Sequence, residues 1–186
     1  GTWGMDFSPK EAFSSLVRDI VNIPGDFRVR LSSINPMEID ADLLRLMADC
    51  EKVCPHLHIP LQSGDYSVLK NMRRNYDAEQ YRDVVQRAVE TIPRLGLGAD
   101  IIVGFPGETD ENFERTRNMV ETLPFSYLHV FSYSPRKGTE AYGFKDNLPK
   151  TVKKERNRVL TELVKNKSEQ FRKQFLGQTV HVLIEN

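Results

Sequence analysis

The stretch ADIIVGFPGETD, residues 99–110, joins a strand, a glycine-containing loop and the beginning of a helix. The apolar run from Ala99 to Gly104 is typical of a strand buried on both faces. Thr109 belongs to the residue types that cap helices, and the spacing of apolar residues after it predicts a helix that ends near Leu123. The stretch therefore predicts a β-strand followed directly by an α-helix.

The same alternation of strand and helix runs through most of the chain. Strands are predicted at Phe27–Ser33, Leu57–Leu61, Ala99–Gly104 and Tyr127–Tyr133, and helices at about Ser8–Ile23, at Ile39–Val53, from Asp77, at Thr109–Leu123 and at about Pro149–Leu176. Strands that alternate with helices form right-handed βαβ units and a parallel sheet. The predicted fold class is α/β, with the sheet either open or part of a barrel.

Length and composition are those of one globular domain. The chain has 186 residues, of which 39% are hydrophobic and 28% charged, which is enough to bury a core. No apolar run is long enough to span a membrane and no leader sequence opens the chain, so a cytoplasmic protein without a membrane partner is expected. Two cysteines, Cys50 and Cys54, do not make a disulfide framework and are expected to be reduced.

The charged residues are unevenly distributed along the chain, although the formal net charge is zero, with 26 lysines and arginines and 26 aspartates and glutamates. The segment 149–177 holds nine lysines and arginines against three glutamates. Its apolar residues form one stripe of a helix, which predicts that the basic face points outward. Such a face indicates an anionic partner, nucleic acid first, and a solvated helix face is the alternative.

After Gly177 the pattern changes to a period of two, because Val180, Val182 and Ile184 alternate with other residues. This alternation predicts the first strand of another domain. The first four residues resemble a loop that leaves a preceding element. Both ends together predict that the chain is one part of a longer protein.

Three polar loops follow successive predicted strands, at Pro60–Gly64, Gly104–Thr109 and Tyr133–Thr139. In parallel sheets, ligands bind beyond the carboxyl ends of the strands, so these loops are expected to line one site. Gln62 and Ser63 would supply neutral donors and acceptors, Glu108 a carboxylate and Arg136 a planar cation. This set suits a polar cofactor with amine, carboxylate and ribose groups. For each loop taken alone, ordinary turn chemistry is the alternative.

The motifs HIPLQSG, DIIVGFPGET and FSYSPRKGTEA, at residues 58–64, 100–109 and 131–141, resemble the signature stretches of the radical S-adenosylmethionine (SAM) methylthiotransferases. The resemblance implies that residues 1–177 are the C-terminal portion of a radical-SAM partial TIM barrel, an incomplete parallel (βα) barrel. It implies that residues 178–186 begin a TRAM domain, a small RNA-binding β-barrel. The full-length parent would use SAM and two 4Fe-4S clusters to insert a methylthio group.

The resemblance also implies a substrate. The family modifies either an adenosine beside a tRNA anticodon or an aspartate of a ribosomal protein. The context LHVFSYSPRKGT, residues 128–139, is similar to the tRNA branch, in particular to the enzymes that act on threonylcarbamoyladenosine. A tRNA partner is therefore expected for the parent enzyme.

Site residues follow from this resemblance and from position along the strands. Gln62, Ser63, Glu108, Ser32 and Arg30 are expected to bind the cofactor, and Arg136, Lys153 and Arg156 to bind the substrate. Arg30 and Ser32 share one face of their predicted strand, so a satisfied polar layer inside the barrel is the alternative for them. His129 is interpreted as a packed histidine. No catalytic residue is assigned.

The chain departs from the family at the cluster motif. Radical-SAM enzymes hold the catalytic cluster with CxxxCxxC, because three thiolates leave one iron free for SAM. Here Cys50 and Cys54 match its first half, but Leu57 stands at the third position. No cluster or other metal is therefore expected in this chain, and the chain alone is expected to be inactive.

Two other classes of protein stay open. One is a parallel-barrel enzyme that binds a phosphorylated substrate at Gly104–Gly107. The second is an RNA-binding module without catalysis, built on the basic helix. The isolated chain is also expected to self-associate as a homodimer, because the strand Phe27–Ser33 would expose Val29 and Leu31 at an unpaired edge.

Overall fold

A computed structural model describes residues 3–4, 6–145 and 148–180. Its helices are α1 Phe13–Asn22, α2 Ala41–Asp49, α3 Tyr66–Asn71, α4 Ala78–Thr91, α5 Asp110–Thr122 and α6 Lys150–Lys173. Its strands are β1 His56–His58, β2 Gly96–Val103 and β3 Tyr127–Ser132. Short 3₁₀ helices occupy Pro36–Glu38 and Glu140–Gly143. None of the helices within the described ranges combines the length and the apolar character needed to cross a bilayer.

The three strands form one parallel sheet in the order β1-β2-β3. Leu57 of β1 is in register with Leu97 of β2, and Ile101 of β2 is in register with Val130 of β3. Each strand therefore lies beside the next strand along the chain, with helices in the connections. The predicted α/β class with a parallel sheet is confirmed.

The two faces of the sheet differ in character. On one face Leu97, Ala99, Ile101 and Val103 of β2 are 0% exposed and belong to the core, together with Leu160 of α6. The opposite face, called here the polar face, is formed by the alternate residues His56, His58, Gly98, Asp100, Ile102, Tyr127, His129 and Phe131. Because side chains alternate along a strand, one sheet supplies both an apolar core face and a polar face.

The predicted starts of two helices are correct, and in both a side chain caps the helix. Asp77 and Gln80 form a reciprocal capping box at the start of α4, and Thr109 and Asn112 form one at the start of α5. The predicted start of the first helix at Ser8 is wrong, since α1 begins at Phe13 and its N-cap residue makes no side-chain hydrogen bond. A capping pattern in the sequence thus did not suffice to fix that helix start.

The predicted strand Phe27–Ser33 is wrong. Only Val29 pairs with another segment, through an isolated parallel bridge to Val53. Ser33 has φ 51, in the left-handed region, which breaks the extended pleat. The next residue, Ile34, is 5% exposed in the core, and its N–H donates to the carbonyl of His58 at 3.0 Å. The segment runs beside β1 as an irregular extended chain.

The expected apolar edge on this segment is also wrong. Leu31 is 6% exposed and Val29 packs against the core. The homodimer that was inferred from their exposure stays a prediction. The predicted strand after Gly177 falls mainly on residues 181–186, which lie outside the described residues, and residues 178–180 adopt no regular structure.

Candidate functional site

A cleft of about 590 Å³ opens at the carboxyl ends of the three strands. It is lined by Gln62, Arg74, Asp100, Ile102, Phe131, Ser132, Tyr133, Ser134, Arg136, Thr139 and Ala141. Residues that follow β1 and β3 meet here with Asp100 and Ile102 of β2, whereas no residue of the predicted loop Gly104–Thr109 lines this cleft. Gln62 and Arg136 are the two predicted site residues that line this cleft.

Gln62 has an unusual backbone conformation. Its φ is 65, in the left-handed region that residues other than glycine rarely adopt. Its N–H donates to the carbonyl of Asp100 at 2.8 Å, and its own carbonyl accepts from the N–H of Ile102 at 2.9 Å. The bonds to β2 hold this conformation, and backbone strain of this kind is concentrated at functional sites.

Ser63 and Gly64 attach the loop after β1 to α5. Ser63 is 1% exposed, and its Oγ lies 3.3 Å from Oγ1 of Thr116. The backbone N–H of Gly64 donates to the same Thr116 oxygen at 2.9 Å. These contacts satisfy the hydroxyl of Ser63 within the protein. Its predicted contact with a cofactor stays a prediction, and its visible role is to position Gln62.

Glu108 is buried and paired. Its carboxylate accepts from the N–H of Gly104 at 2.9 Å and forms an ion pair with Arg156. Burial raises the pKa of Glu108, and the Gly104 N–H and the Arg156 guanidinium oppose that rise. Because Arg156 already neutralises the carboxylate, Glu108 stabilises the loop after β2 instead of presenting a free charge in the cleft.

The basic residues of α6 do not all face outward, so that part of the prediction is wrong. Arg156 is 4% exposed and Lys153 is 6% exposed. Lys153 lies over the ring of Tyr133, with 5.2 Å between its Nζ and the ring centroid. Each has an internal partner that the helical pattern alone did not reveal. Their assignment to substrate binding stays a prediction.

The polar face carries a connected set of side chains. The hydroxyl of Tyr127 lies 2.9 Å from Nε2 of His56 and 3.0 Å from Nδ1 of His58. Nε2 of His58 lies 3.1 Å from Oδ2 of Asp100. Nη2 of Arg30 lies 3.2 Å from Nε2 of His56. The alternative of a satisfied polar layer therefore describes Arg30 well. Ser32 is exposed and lies outside this set.

Gly98 makes this arrangement possible. A Cβ atom at this position would lie 2.0 Å from Cζ and 2.3 Å from Oη of Tyr127. Only a glycine allows the Tyr127 ring to cross β2 and reach both histidines. Partial burial raises the pKa of Tyr127, and burial together with the charge of Arg30 lowers the pKa of His56. Both shifts favour the neutral forms, which exchange hydrogen bonds.

Sequence reasoning missed several residues of this site, including Asp100, Arg74, His58 and Tyr127. One signal could have found Asp100: it is the single charged residue in the apolar run of β2. An isolated charge in a buried strand has to face a polar environment. Arg74 gave no such signal, because it follows a short helix and reaches the cleft only in the folded chain.

The cysteines do not fit a 4Fe-4S cluster. Cys50 is the C-cap residue of α2, and Cys54 follows four residues later. The third position of the motif holds Leu57, which is 0% exposed in the core. Two thiols cannot supply the three thiolates of the radical-SAM cluster. No step of the chemistry is therefore assigned to a cluster held by these residues.

The start of α3 depends on one buried carboxylate. Asp65 is 2% exposed; it caps the helix through the N–H of Val68 and pairs with Arg115. Burial acts to raise the pKa of Asp65, but hydrogen bonds from Ser67, Arg115 and Val68 outweigh it and lower the pKa from 3.8 to about 2. A depressed pKa means that the ionised form stabilises the fold.

We expect this contribution to be present above pH 3.8 and to disappear as the pH falls towards 2. Replacing Asp65→Asn should lower the free energy of unfolding by about 1–2 kcal/mol at pH 6. The difference between variant and wild type should shrink as the pH falls. Urea denaturation at several pH values measures it, and a difference that is constant with pH would contradict this assignment.

Fold and site together define a parallel α/β protein with a cleft at the carboxyl edge of its sheet. Residues 4–120 match the family model described as the radical SAM superfamily. This match covers more than half of the chain, so the chain belongs to the radical SAM superfamily.

Curated relatives and one solved structure agree with this membership. The chain is 42% identical over 184 residues to the tRNA-2-methylthio-N(6)-dimethylallyladenosine synthase of Acetivibrio thermocellus, and the alignment covers 99% of the chain and 38% of that protein. It is 41% identical over 185 residues to the threonylcarbamoyladenosine tRNA methylthiotransferase MtaB of Thermotoga maritima, and this alignment covers 100% of the chain and 42% of that protein. The chain thus spans about two fifths of the length of these relatives.

The fold is similar to that of coproporphyrinogen III oxidase (HemN) from Escherichia coli, a radical SAM enzyme. The TM-score is 0.57 at 23% identity, and the alignment covers 89% of this chain and 37% of that chain. At this identity the similarity concerns the fold alone. It supports the parallel α/β architecture independently of the sequence motifs.

Proposed function

We propose that the chain is part of a radical-SAM tRNA methylthiotransferase and forms one wall of its active site. One observation carries this proposal: the similarity to two tRNA methylthiotransferases extends over 99% and 100% of the chain, at 42% and 41% identity. The alignment therefore includes all three strand ends and the loops that line the cleft. The reaction would transfer a methylthio group to an adenosine of tRNA.

The proposed domain division follows from the resemblance of the motifs at residues 58–64, 100–109 and 131–141 to those of the methylthiotransferases. Residues 1–177 would be the C-terminal portion of a partial parallel (βα) barrel, and residues 178–186 would begin a TRAM domain. The sequential order β1-β2-β3 supports the first assignment, because neighbouring strands of a (βα) barrel follow one another along the chain.

The cleft suggests which residues contact ligands. Gln62 follows β1 and lines the cleft, where its amide could bind polar groups of SAM or of the substrate base. Arg74 and Arg136 are exposed at the rim, where guanidinium groups could bind the tRNA backbone. Ser63 would act indirectly, by holding the loop that carries Gln62, and Glu108 would stabilise the loop after β2.

The identity of the adenosine is a finer part of the proposal. The two relatives are named for dimethylallyladenosine and for threonylcarbamoyladenosine, at nearly equal identity to the chain. The context LHVFSYSPRKGT at residues 128–139 favours threonylcarbamoyladenosine. SAM and two 4Fe-4S clusters would be the cofactors of the whole enzyme, with the cluster ligands outside the two cysteines of this chain.

The alternative of a phosphate site at Gly104–Gly107 has less support. The N–H of Gly104 donates to Glu108 at 2.9 Å, so it is not directed at a ligand. The carboxylate of Glu108 also lies next to the place that a phosphate would take. An RNA-binding contribution of α6 fits within the main proposal, through the exposed residues Lys150, Lys154 and Lys165.

A chimeric enzyme tests the proposal. This chain would replace the matching part of the Thermotoga maritima relative, so that the relative supplies the rest of the enzyme. We expect the chimera, with its clusters reconstituted, to form methylthio-modified adenosine in tRNA, measured by mass spectrometry of tRNA digests. The isolated chain should form none. A soluble, cluster-loaded chimera without product on either nucleoside would contradict the proposal.

A further inference from the structure

Three side chains on the polar face have their ligand atoms close together. His58 of β1, Asp100 of β2 and His129 of β3 each offer one nitrogen or oxygen atom, and these atoms lie within 4.8 Å of one another. Nε2 of His58 and Oδ2 of Asp100 are 3.1 Å apart. Two ligands of one metal ion at bonds of about 2.1 Å are separated by roughly 3.0–3.4 Å, so this pair has the spacing of metal ligands.

Hydrogen bonding around the cluster determines where the hydrogens lie. The carbonyl of Leu31 can only accept, and it lies 3.3 Å from Nδ1 of His56, so this nitrogen carries the hydrogen. The longer contact from Arg30 Nε to the same nitrogen, at 3.4 Å, is then a packing contact. Nε2 of His56 is left as an acceptor, and it faces Nη2 of Arg30 at 3.2 Å and the hydroxyl of Tyr127 at 2.9 Å.

The contacts of Tyr127 continue to the next histidine. The hydroxyl of Tyr127 also lies 3.0 Å from Nδ1 of His58. Nε2 of His58, on the other side of the ring, faces a carboxylate oxygen of Asp100 at 3.1 Å. A proton or a metal ion between these two atoms accounts for so short a distance.

We propose that His58, Asp100 and His129 bind a divalent transition-metal ion such as Zn²⁺. Two imidazoles and one carboxylate form a recognised set of three protein ligands, which leaves a coordination position open. His129 decides between a metal ion and a proton. A proton shared by His58 and Asp100 has no need of a third ligand, whereas the ring nitrogen of His129 completes a metal site.

The surroundings of the cluster suit this role. The ring nitrogen of His58 that faces away from the ion is oriented by Tyr127, as is usual for metal-binding histidines. His58 is 7% exposed, whereas His129 is exposed and can move towards the ion. The ion could therefore enter from the open side of the sheet. This inference does not depend on the proposed methylthiotransferase function.

The test measures binding of Co²⁺ and Zn²⁺ by the whole chain under reducing conditions. Calorimetry should give one ion per chain, and Co²⁺ should produce visible absorption bands. The measurements use a Cys50→Ser, Cys54→Ser background, so that thiols do not contribute. Asp100→Asn and His129→Ala should each abolish stoichiometric binding. Tyr127→Phe keeps the three ligands but loses the orienting oxygen, and should weaken binding by about 10- to 100-fold.

Asp110→Asn is the matched control for Asp100→Asn, since Asp110 is 95% exposed, pairs with Arg156 outside the cluster, and should leave the affinity unchanged when replaced. Circular dichroism establishes that each variant is folded. Three outcomes would overturn the proposal: no binding by the chain, binding by the Asp100→Asn and His129→Ala variants equal to that of the unchanged chain, or an equal loss of binding in the Asp110→Asn variant. Any of them would leave His58 and Asp100 as an ordinary ion pair.

Discussion

Replacing Glu108→Gln is expected to lower the free energy of unfolding by about 3 kcal/mol, because it leaves a buried guanidinium without its counter-charge. Arg156 is 4% exposed and is paired with the Glu108 carboxylate. The glutamine amide oxygen can still accept from the N–H of Gly104, so the loss concerns the charge and not the loop hydrogen bond. Chemical denaturation followed by circular dichroism measures the difference.

A matched control lies on the other side of the same guanidinium. Nη2 of Arg156 is 2.6 Å from Asp110, whose side chain is 95% exposed. An exposed partner contributes little, so Asp110→Asn should cost at most about 1 kcal/mol. In the double variant Glu108→Gln, Arg156→Met the unpaired charge is gone, and much of the lost stability should return. Equal costs for the Glu108 and Asp110 variants would contradict this account.

Gly64→Ala is expected to destabilise the protein by about 1–3 kcal/mol and to disturb the cleft. A Cβ atom at Gly64 would lie 2.7 Å from Cα of Thr116 and 2.9 Å from the carbonyl of Arg115. Both are backbone atoms of α5, so relief requires a shift of the helix or of the loop. That shift would lengthen the bond from Gly64 N–H to Thr116 and displace Gln62.

Gly143→Ala serves as the control for this substitution. A Cβ atom at Gly143 meets nothing within 4 Å, and its φ lies outside the left-handed region. Its effect on stability should stay within about 0.5 kcal/mol. Thermal denaturation compares the two variants, and chemical shifts of Gln62 report on the cleft. A Gly64→Ala variant as stable as Gly143→Ala would show that the loop does not pack on α5 in this way.

The parts of the fold that were predictable depend on local pattern. The run from Ala99 to Gly104 identified β2, and the capping residues Asp77 and Thr109 identified the starts of α4 and α5. Their order along the chain predicted the parallel sheet. Each of these signals is contained within about ten neighbouring residues, so the sequence alone reveals it.

The parts that were not predictable depend on contacts between distant residues. The pairing of Arg156 with Glu108 spans 48 positions, and the contact of Tyr127 with His58 spans 69. A helical pattern places Arg156 among basic neighbours but does not say which of them turns inward. Phe27–Ser33 has the composition of a strand, yet the left-handed conformation of Ser33 breaks it. Asp100 is an exception that could have been predicted. Side chains alternate along a strand, so Asp100 lies on the face opposite to the buried residues Ala99 and Ile101.

The central claim is that the cleft at the carboxyl ends of the strands contacts the substrates of a tRNA methylthiotransferase. The most direct test is the rate at which the chimera forms methylthio-adenosine with Gln62→Ala or Arg136→Gln, compared with Arg158→Gln. Arg158 pairs with Glu155 and Glu162 on the surface of α6, away from the cleft residues. Loss of one polar contact to substrate should slow the reaction by about tenfold or more in the first two variants and leave the third unchanged. Equal rates in all three folded variants would contradict the claim.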